Sequence, residues 1–149
     1  MSRVDEYRKL FSAMSKKQAK IGWFPSAQYP AEDGGEYVAG VALTHEFGSP
    51  AQHIPPRPFL RPTIANNKGD WIRTIKGLAR QKRTTDEDVL EGVGLQMVGD
   101  FKDMIGRINN PKLAASTIAK RKERGNNSVK PLNDTGYMIA TLTNTVESK

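Results

Sequence analysis

Apolar residues spaced by threes and fours mark out most of the chain. Val4, Tyr7, Leu10, Phe11 and Met14 form the first such stripe, with Asp5 and Glu6 early and Lys16 and Lys17 late, as a helix dipole favours; 3–16 reads as an amphipathic helix. Ile21, Trp23 and Phe24, closed by Pro25, predict a short strand over 18–25. Pro30, Gly34 and Gly35 make 26–36 a turn-rich loop. Two patterns compete over 37–47, and helix is preferred, because Val38, Val41, Ala42 and His45 share a helical face and Gly48 stands at the C-cap. Prolines at 50, 55, 56, 58 and 62 remove amide donors and bias their predecessors toward extended backbone, so 49–62 reads as a stiff, extended arm.

Ile64, Trp71, Ile72, Ile75, Leu78 and Ala79 predict a helix from Thr63 to about Gln81, with Pro62 in its first turn. Thr84 and Thr85 precede Asp86-Glu-Asp, a helix-start signal. Val89, Val93, Met97, Phe101, Met104, Ile105 and Ile108 then carry one stripe through 86–108. Glycines at 92, 94, 99 and 106 weaken this helix and are expected to admit another backbone. A short basic helix capped by Ser116 or Thr117 follows, then a turn at 125–128, a last helical turn near 137–142, and a terminal segment able to pair with 18–25. The sum is one α+β domain over 1–149, mostly helical, with a small antiparallel sheet of strands near 18–25 and 143–148 and a proline-rich arm.

Composition narrows the function. The 37% apolar content is thin for a globular chain and suggests surfaces completed by partners. No apolar run approaches a membrane span, and the first residues lack a signal-peptide core, so synthesis in the cytoplasm and no membrane association are expected. With no cysteine, thiol catalysis, disulfides and thiolate metal sites are excluded. His45 and His53 are the only histidines, and His45-Glu-Phe-Gly-Ser lacks the second imidazole of a zinc helix motif; His45 is expected to pack at a helix end and His53 to be exposed. Gly92-Val-Gly-Leu-Gln-Met-Val-Gly lies inside an amphipathic stripe without the strand a phosphate loop requires. No catalytic, cofactor-binding or metal-binding residue emerges, and the expectation is a non-enzyme without cofactors.

The formal charge of +7 is uneven. Arg73, Lys76, Arg80, Lys82 and Arg83 form one acid-free run; Lys120, Arg121, Lys122, Arg124 and Lys130 form a second. Arg80, Lys82, Arg83, Lys120, Arg121, Lys122 and Arg124 are candidates for a face toward DNA or an acidic partner. Neither run interleaves aromatics for base stacking or carries a recognition-helix signature, so a solvated face or salt-bridged subunit interface competes with nucleic-acid contact.

His45-Glu-Phe-Gly-Ser-Pro, followed by Ile54-Pro-Pro-Arg-Pro-Phe-Leu-Arg-Pro-Thr, resembles a motif of tailed-phage tail-completion and virion-morphogenesis proteins, small neck components joining head and tail. Leu113-Ala-Ala-Ser-Thr-Ile-Ala-Lys-Arg-Lys and Lys130-Pro-Leu-Asn-Asp-Thr-Gly-Tyr-Met resemble the same family's later segment, and the likeness runs from about residue 20 to 147. The chain departs from the pattern at Asn133, where an aliphatic residue is common, and at Tyr137-Met-Ile-Ala-Thr. The resemblance implies a structural virion protein at the head-tail junction, present in host cytoplasm during assembly. It implies a homo-oligomeric ring on the tail axis, hexameric or dodecameric, contacting neighbouring neck and tail proteins and, non-specifically, packaged DNA. A tail terminator or head-tail connector is the alternative within the virion, and a basic DNA-binding regulator the alternative outside it.

On this reading Glu46, Phe47, Gly48, Arg57, Pro58, Phe59, Leu60, Arg61 and Pro62 are the expected subunit or partner interface, with Phe59 and Leu60 as anchors and Arg57 and Arg61 as carboxylate clamps. The competing reading puts Phe59 and Leu60 in the domain's own core with both arginines solvated. Asp134, Thr135 and Gly136 are read as a structural turn.

Overall fold

The structure is a computed structural model of Met1–Lys149 and describes every residue except 133 and 135. Six helices and two strands are described: α1 (Arg3–Met14), β1 (Lys17–Gly22), α2 (Val38–Phe47), α3 (Leu60–Ala79), α4 (Asp86–Arg107), α5 (Ala115–Glu123), α6 (Tyr137–Thr141) and β2 (Thr143–Ser148), with single 3-10 turns at Ala31–Asp33 and Pro50–Gln52. Helix accounts for 57% of the residues, so the fold is α+β with helices dominant. No described helix is long and apolar enough to cross a membrane.

Contacts gather into two compact units. The first comprises Met1–Gly22, Ala65–Asp100 and Thr143–Lys149; the second comprises Trp23–Ile64 and Phe101–Leu142. In the first, β1 and β2 pair antiparallel from Lys17 opposite Ser148 to Gly22 opposite Thr143. The ladder stops there rather than at Pro25, because the residues before Thr143 are wound into α6 and offer Trp23 and Phe24 no partner. Trp71 Nε1 donates to Asp100 Oδ2 at 2.6 Å, Thr74 bonds Gln96, and Leu78 lies against Gly92. These pairs step in opposite directions, so α3 and α4 run antiparallel in this unit. Val89, Val93, Val98, Trp71 and Ala79 fill its core.

Thr85 and Asp88 close a reciprocal capping box at the start of α4, at 3.1 and 2.8 Å, and Lys17 reaches Asp86 and Glu87 at 2.9 and 2.7 Å. Ser2 and Asp5 make the equivalent box on α1. The α1 stripe does not behave as its spacing suggests: no α1 residue is buried, and Val4 and Phe11 are 59% and 46% exposed.

The α4 glycines admit side chains rather than a backbone. A Cβ at Gly92 would stand 2.6 Å from Leu78 Cδ1, and one at Gly94 would stand 2.8 Å from Asn144 Nδ2; Gly99 and Gly106 have nothing within 4 Å. Gly99→Ala is therefore expected to raise stability by about 0.5–1 kcal/mol through helix propensity alone. Urea denaturation checks this, and a loss of stability would mean that the added methyl group meets a neighbour in the folded protein.

In the second unit Val38, Ala42, Phe59, Phe101, Ile105, Leu132, Met138 and Leu142 are buried. The buried face of α2 is Val38, Ala42 and Glu46, a strict four-residue step, while Val41 and His45 are half-buried at its edge. Trp23 closes the unit by donating Nε1–H to the Met138 carbonyl at 2.8 Å. Helix α5 starts from Ala114 with no side-chain cap, not from Ser116 or Thr117, because both hydroxyl residues already lie inside it.

Candidate functional site

Helix α3 begins at Leu60 without a Ser, Thr, Asp or Asn before it, so its first amides need an acceptor from elsewhere. Glu46, at the end of α2, supplies it. Its side chain is fully buried: Oε2 accepts from Phe59 N at 2.6 Å and Leu60 N at 2.9 Å, and Oε1 from Arg61 N at 3.3 Å and Arg61 Nε at 2.8 Å. Pro62 comes next and has no amide to satisfy. The buried carboxylate thus completes a helix start and sits where the macrodipole is positive. Burial alone would push its pKa up, but Arg61 and the three amides outweigh that and hold it below the ordinary 4.5.

The segment between Glu46 and Phe59 returns tightly to α2. Arg57 N donates to the His45 carbonyl at 2.7 Å, and Ser49 and Ile54 form an isolated bridge. Gly48 turns the chain at φ 75°, where a Cβ would come within 2.8 Å of both Ile54 O and Pro56 N. The extended arm expected over 49–62 is therefore corrected to a folded-back loop and the first turn of α3, because backbone bonds to α2 and the Glu46 cap outweigh the extended bias of the prolines.

Several expected interface residues change role accordingly. Phe59 is 0% exposed and meets Trp23 edge-on at 5.8 Å between ring centres, so it anchors this chain's own core. Arg57 is also buried and donates Nε and Nη2 to the carbonyls of Pro111 and Lys112 at 2.7 and 3.2 Å. Glu46 is internal for the reason given above. Leu60, Pro62 and Gly48 are half-buried, whereas Phe47, Pro58 and Arg61 remain exposed. Arg61 lies over the Phe47 ring at 5.0 Å, and Leu43 is exposed one turn earlier on α2.

The basic candidates divide. Arg80, Lys82 and Arg83 are exposed in the first unit; Lys120, Lys122 and Arg124 are exposed in the second. Arg121 belongs to neither surface: it is 5% exposed and bonds the carbonyls of Ser128, Lys130 and Pro131. Its helical position turns it inward, which a run of like charges conceals. Asp134 accepts from Arg124 Nη2 at 2.9 Å and Asn126 Nδ2 at 2.7 Å, and stands 3.3 Å from Arg121 Nε, so it ties α5 to the following turn. Gly136, at φ 79°, is the N-cap of α6; Thr135 lies outside the described residues.

His45 packs at the end of α2 as expected, and His53 is exposed. Burial, then the positive charges of Arg57 and Arg121, lower the His45 pKa to about 4. The unfolded chain takes up this proton near 6.5 and the folded chain only near 4, so stability falls as pH drops through that interval. His45→Gln is expected to flatten that part of the pH–stability curve, measured by urea denaturation at pH 7, 6 and 5. Unchanged pH dependence would show that the imidazole titrates normally. Among the described residues, no group of three acidic or histidine side chains could hold a metal ion.

No family model, curated protein or solved structure matches the chain.

Proposed function

We propose that this chain is a non-enzymatic structural subunit of a tailed-phage neck, acting in tail completion or head-tail joining and assembling as a ring on the tail axis. The observation that carries the reading is the junction of α2 and α3. The two motifs of the sequence resemblance, Glu46-Phe-Gly and Pro56-Arg-Pro-Phe-Leu-Arg-Pro, form one internally locked unit there. Its outer side leaves Leu43 57% and Phe47 59% exposed beside Arg61. A chain poor in apolar residues that leaves such side chains in water has surface for a partner to cover. A repeated contact between identical subunits closes into a ring when its rotation allows.

Sedimentation of the purified protein at several concentrations and salt levels, with and without duplex DNA, tests the reading. A ring-sized species, or a monomer indifferent to DNA, is expected. A small dimer shifting onto DNA at moderate salt would instead favour a basic regulator acting through the exposed lysines and arginines. Leu43→Ser with Phe47→Ser is expected to change stability by no more than about 0.5–1 kcal/mol while reducing oligomer or particle yield. Equal yield would remove this surface from the assembly. Disrupting the gene separates the virion roles: full heads beside unattached tails of normal length support completion or joining, and overlong tails support a terminator.

A further inference from the structure

A cavity of about 380 Å³ opens within the second unit, and its wall includes Arg57, Arg121, His45, Tyr29 and Tyr137. We infer that this cavity binds a single carboxylate carried on a protein segment, held by Arg57 and Arg121. The site stands on its own geometry and does not depend on the neck assignment.

Arg57 and Arg121 are 4% and 5% exposed, so both residues are more than nine-tenths buried. Arg57 has no carboxylate partner among the described residues: Nε and Nη2 are spent on two backbone carbonyls, and Nη1 has none. Arg57 itself lines the cavity. Among the described residues Arg121 has only Asp134 as a carboxylate partner, which Arg124 shares at 2.9 Å, and Arg121 Nε makes no hydrogen bond. Burial and the neighbouring Arg121 both lower the Arg57 pKa, and both arginines depress His45, whose Nδ1 is enclosed without a partner. Buried positive charge in excess of its counter-charge is what an anion relieves, and planar guanidinium groups suit a carboxylate.

The rest of the wall selects the class of ligand. Asp33, Glu36 and Asp134 also line the cavity, so a nucleic-acid backbone with its repeated phosphates meets repulsion there. These acidic residues repel a carboxylate as well, but a single negative charge can face Arg57 and Arg121 alone, and the apolar residue that carries it meets Val41, Leu113 and Met138. The carboxylate belongs either to an Asp or Glu side chain or to a chain terminus; the chemistry is the same.

The test titrates the full-length protein with three short peptides: one carrying a central Glu between leucines with both ends blocked, the same peptide with Gln, and a neutral one with a free C-terminal carboxylate. Arginine Nε–H signals and the His45 titration are followed by NMR. Saturable binding of the Glu peptide or the free-terminus peptide, but not the Gln peptide, is expected, and tells the two sources apart. Occupancy should raise the His45 pKa and tighten binding at lower pH, since the coupling is reciprocal. Arg57→Gln is expected to weaken binding about tenfold or more.

That variant also removes the bonds to residues 111 and 112, so Thr117→Glu serves as the second. Thr117 lines the cavity one helical turn before Arg121, and a carboxylate there occupies the site from within, again with a loss of about tenfold or more. Equal response to Glu and Gln peptides, no response to either acidic peptide, response to inorganic phosphate alone, or undiminished binding by Thr117→Glu each overturns the proposal.

Discussion

Glu46→Ala is expected to cost about 3–5 kcal/mol, because three amides lose their acceptor at about 1–3 kcal/mol each. The carboxylate is fully buried, and its removal strands the amides of Phe59, Leu60 and Arg61 at a helix start and leaves Arg61 without its ion pair. Glu46→Gln keeps one acceptor oxygen and loses the charge, so about 1–3 kcal/mol is expected. Denaturant unfolding checks both. A loss below about 0.5 kcal/mol in the alanine variant would mean that α3 starts without this cap.

The same residue carries a pH signature. Its folded pKa lies below 4.5, so its contribution is fully present above that value and declines as pH falls through the folded pKa. Asp86, Asp88 and Glu147 are also held below their ordinary values and add to acid sensitivity. The comparison that isolates Glu46 is the wild type against Glu46→Gln, whose stability difference is expected to shrink below pH 4.5. A constant difference would assign the acid loss to the other carboxylates.

Phe59→Ala is expected to cost about 3–5 kcal/mol, in the range for removing a buried ring. The side chain is wholly enclosed and packs edge-on against Trp23, which itself bonds the Met138 carbonyl. Losing the ring leaves a cavity beneath Trp23, so near-ultraviolet circular dichroism from the tryptophans should weaken along with stability. This outcome separates the two readings of the proline-rich segment. A stable Phe59→Ala protein that fails only to assemble would restore Phe59 as a partner anchor, and a destabilised one places it in the core.

The helices were legible where their signals are local. The stripe over 86–108 and the Thr85–Asp88 box need only neighbours within a turn or two, and α4 forms at Asp86–Arg107. Gly48 was legible as a helix end for the same reason. The ambiguous 37–47 resolves as helix because Val38, Ala42 and Glu46 all find burial on one face. Propensity pointed to both strands, but β1 ends at Gly22, short of Trp23 and Phe24, because its end depended on where α6 released its partner.

The candidate site was legible as a set of residues and not as an arrangement. Glu46, Arg57, Phe59 and Arg61 stood out together, yet nothing in their spacing showed that one carboxylate would cap a helix thirteen residues later. One available signal was the missing cap before Leu60, which requires a distant acceptor. Arg121 shows the converse: among Lys120, Lys122 and Arg124 it looks like one more surface charge, and only its carbonyl partners mark it as internal.

By itself, then, the sequence determined where the helices form, the two segments of strand character and the absence of thiol chemistry, because periodicity, capping and composition act within a few residues. Only the tertiary structure decided which polar groups are buried. The bias of five prolines toward extension is weak beside a charged cap satisfying three amides, so the segment folded back. The same packing enclosed Arg57 and Arg121 beside a cavity, for burial is a property of all the elements around a side chain and not of its own stretch of chain.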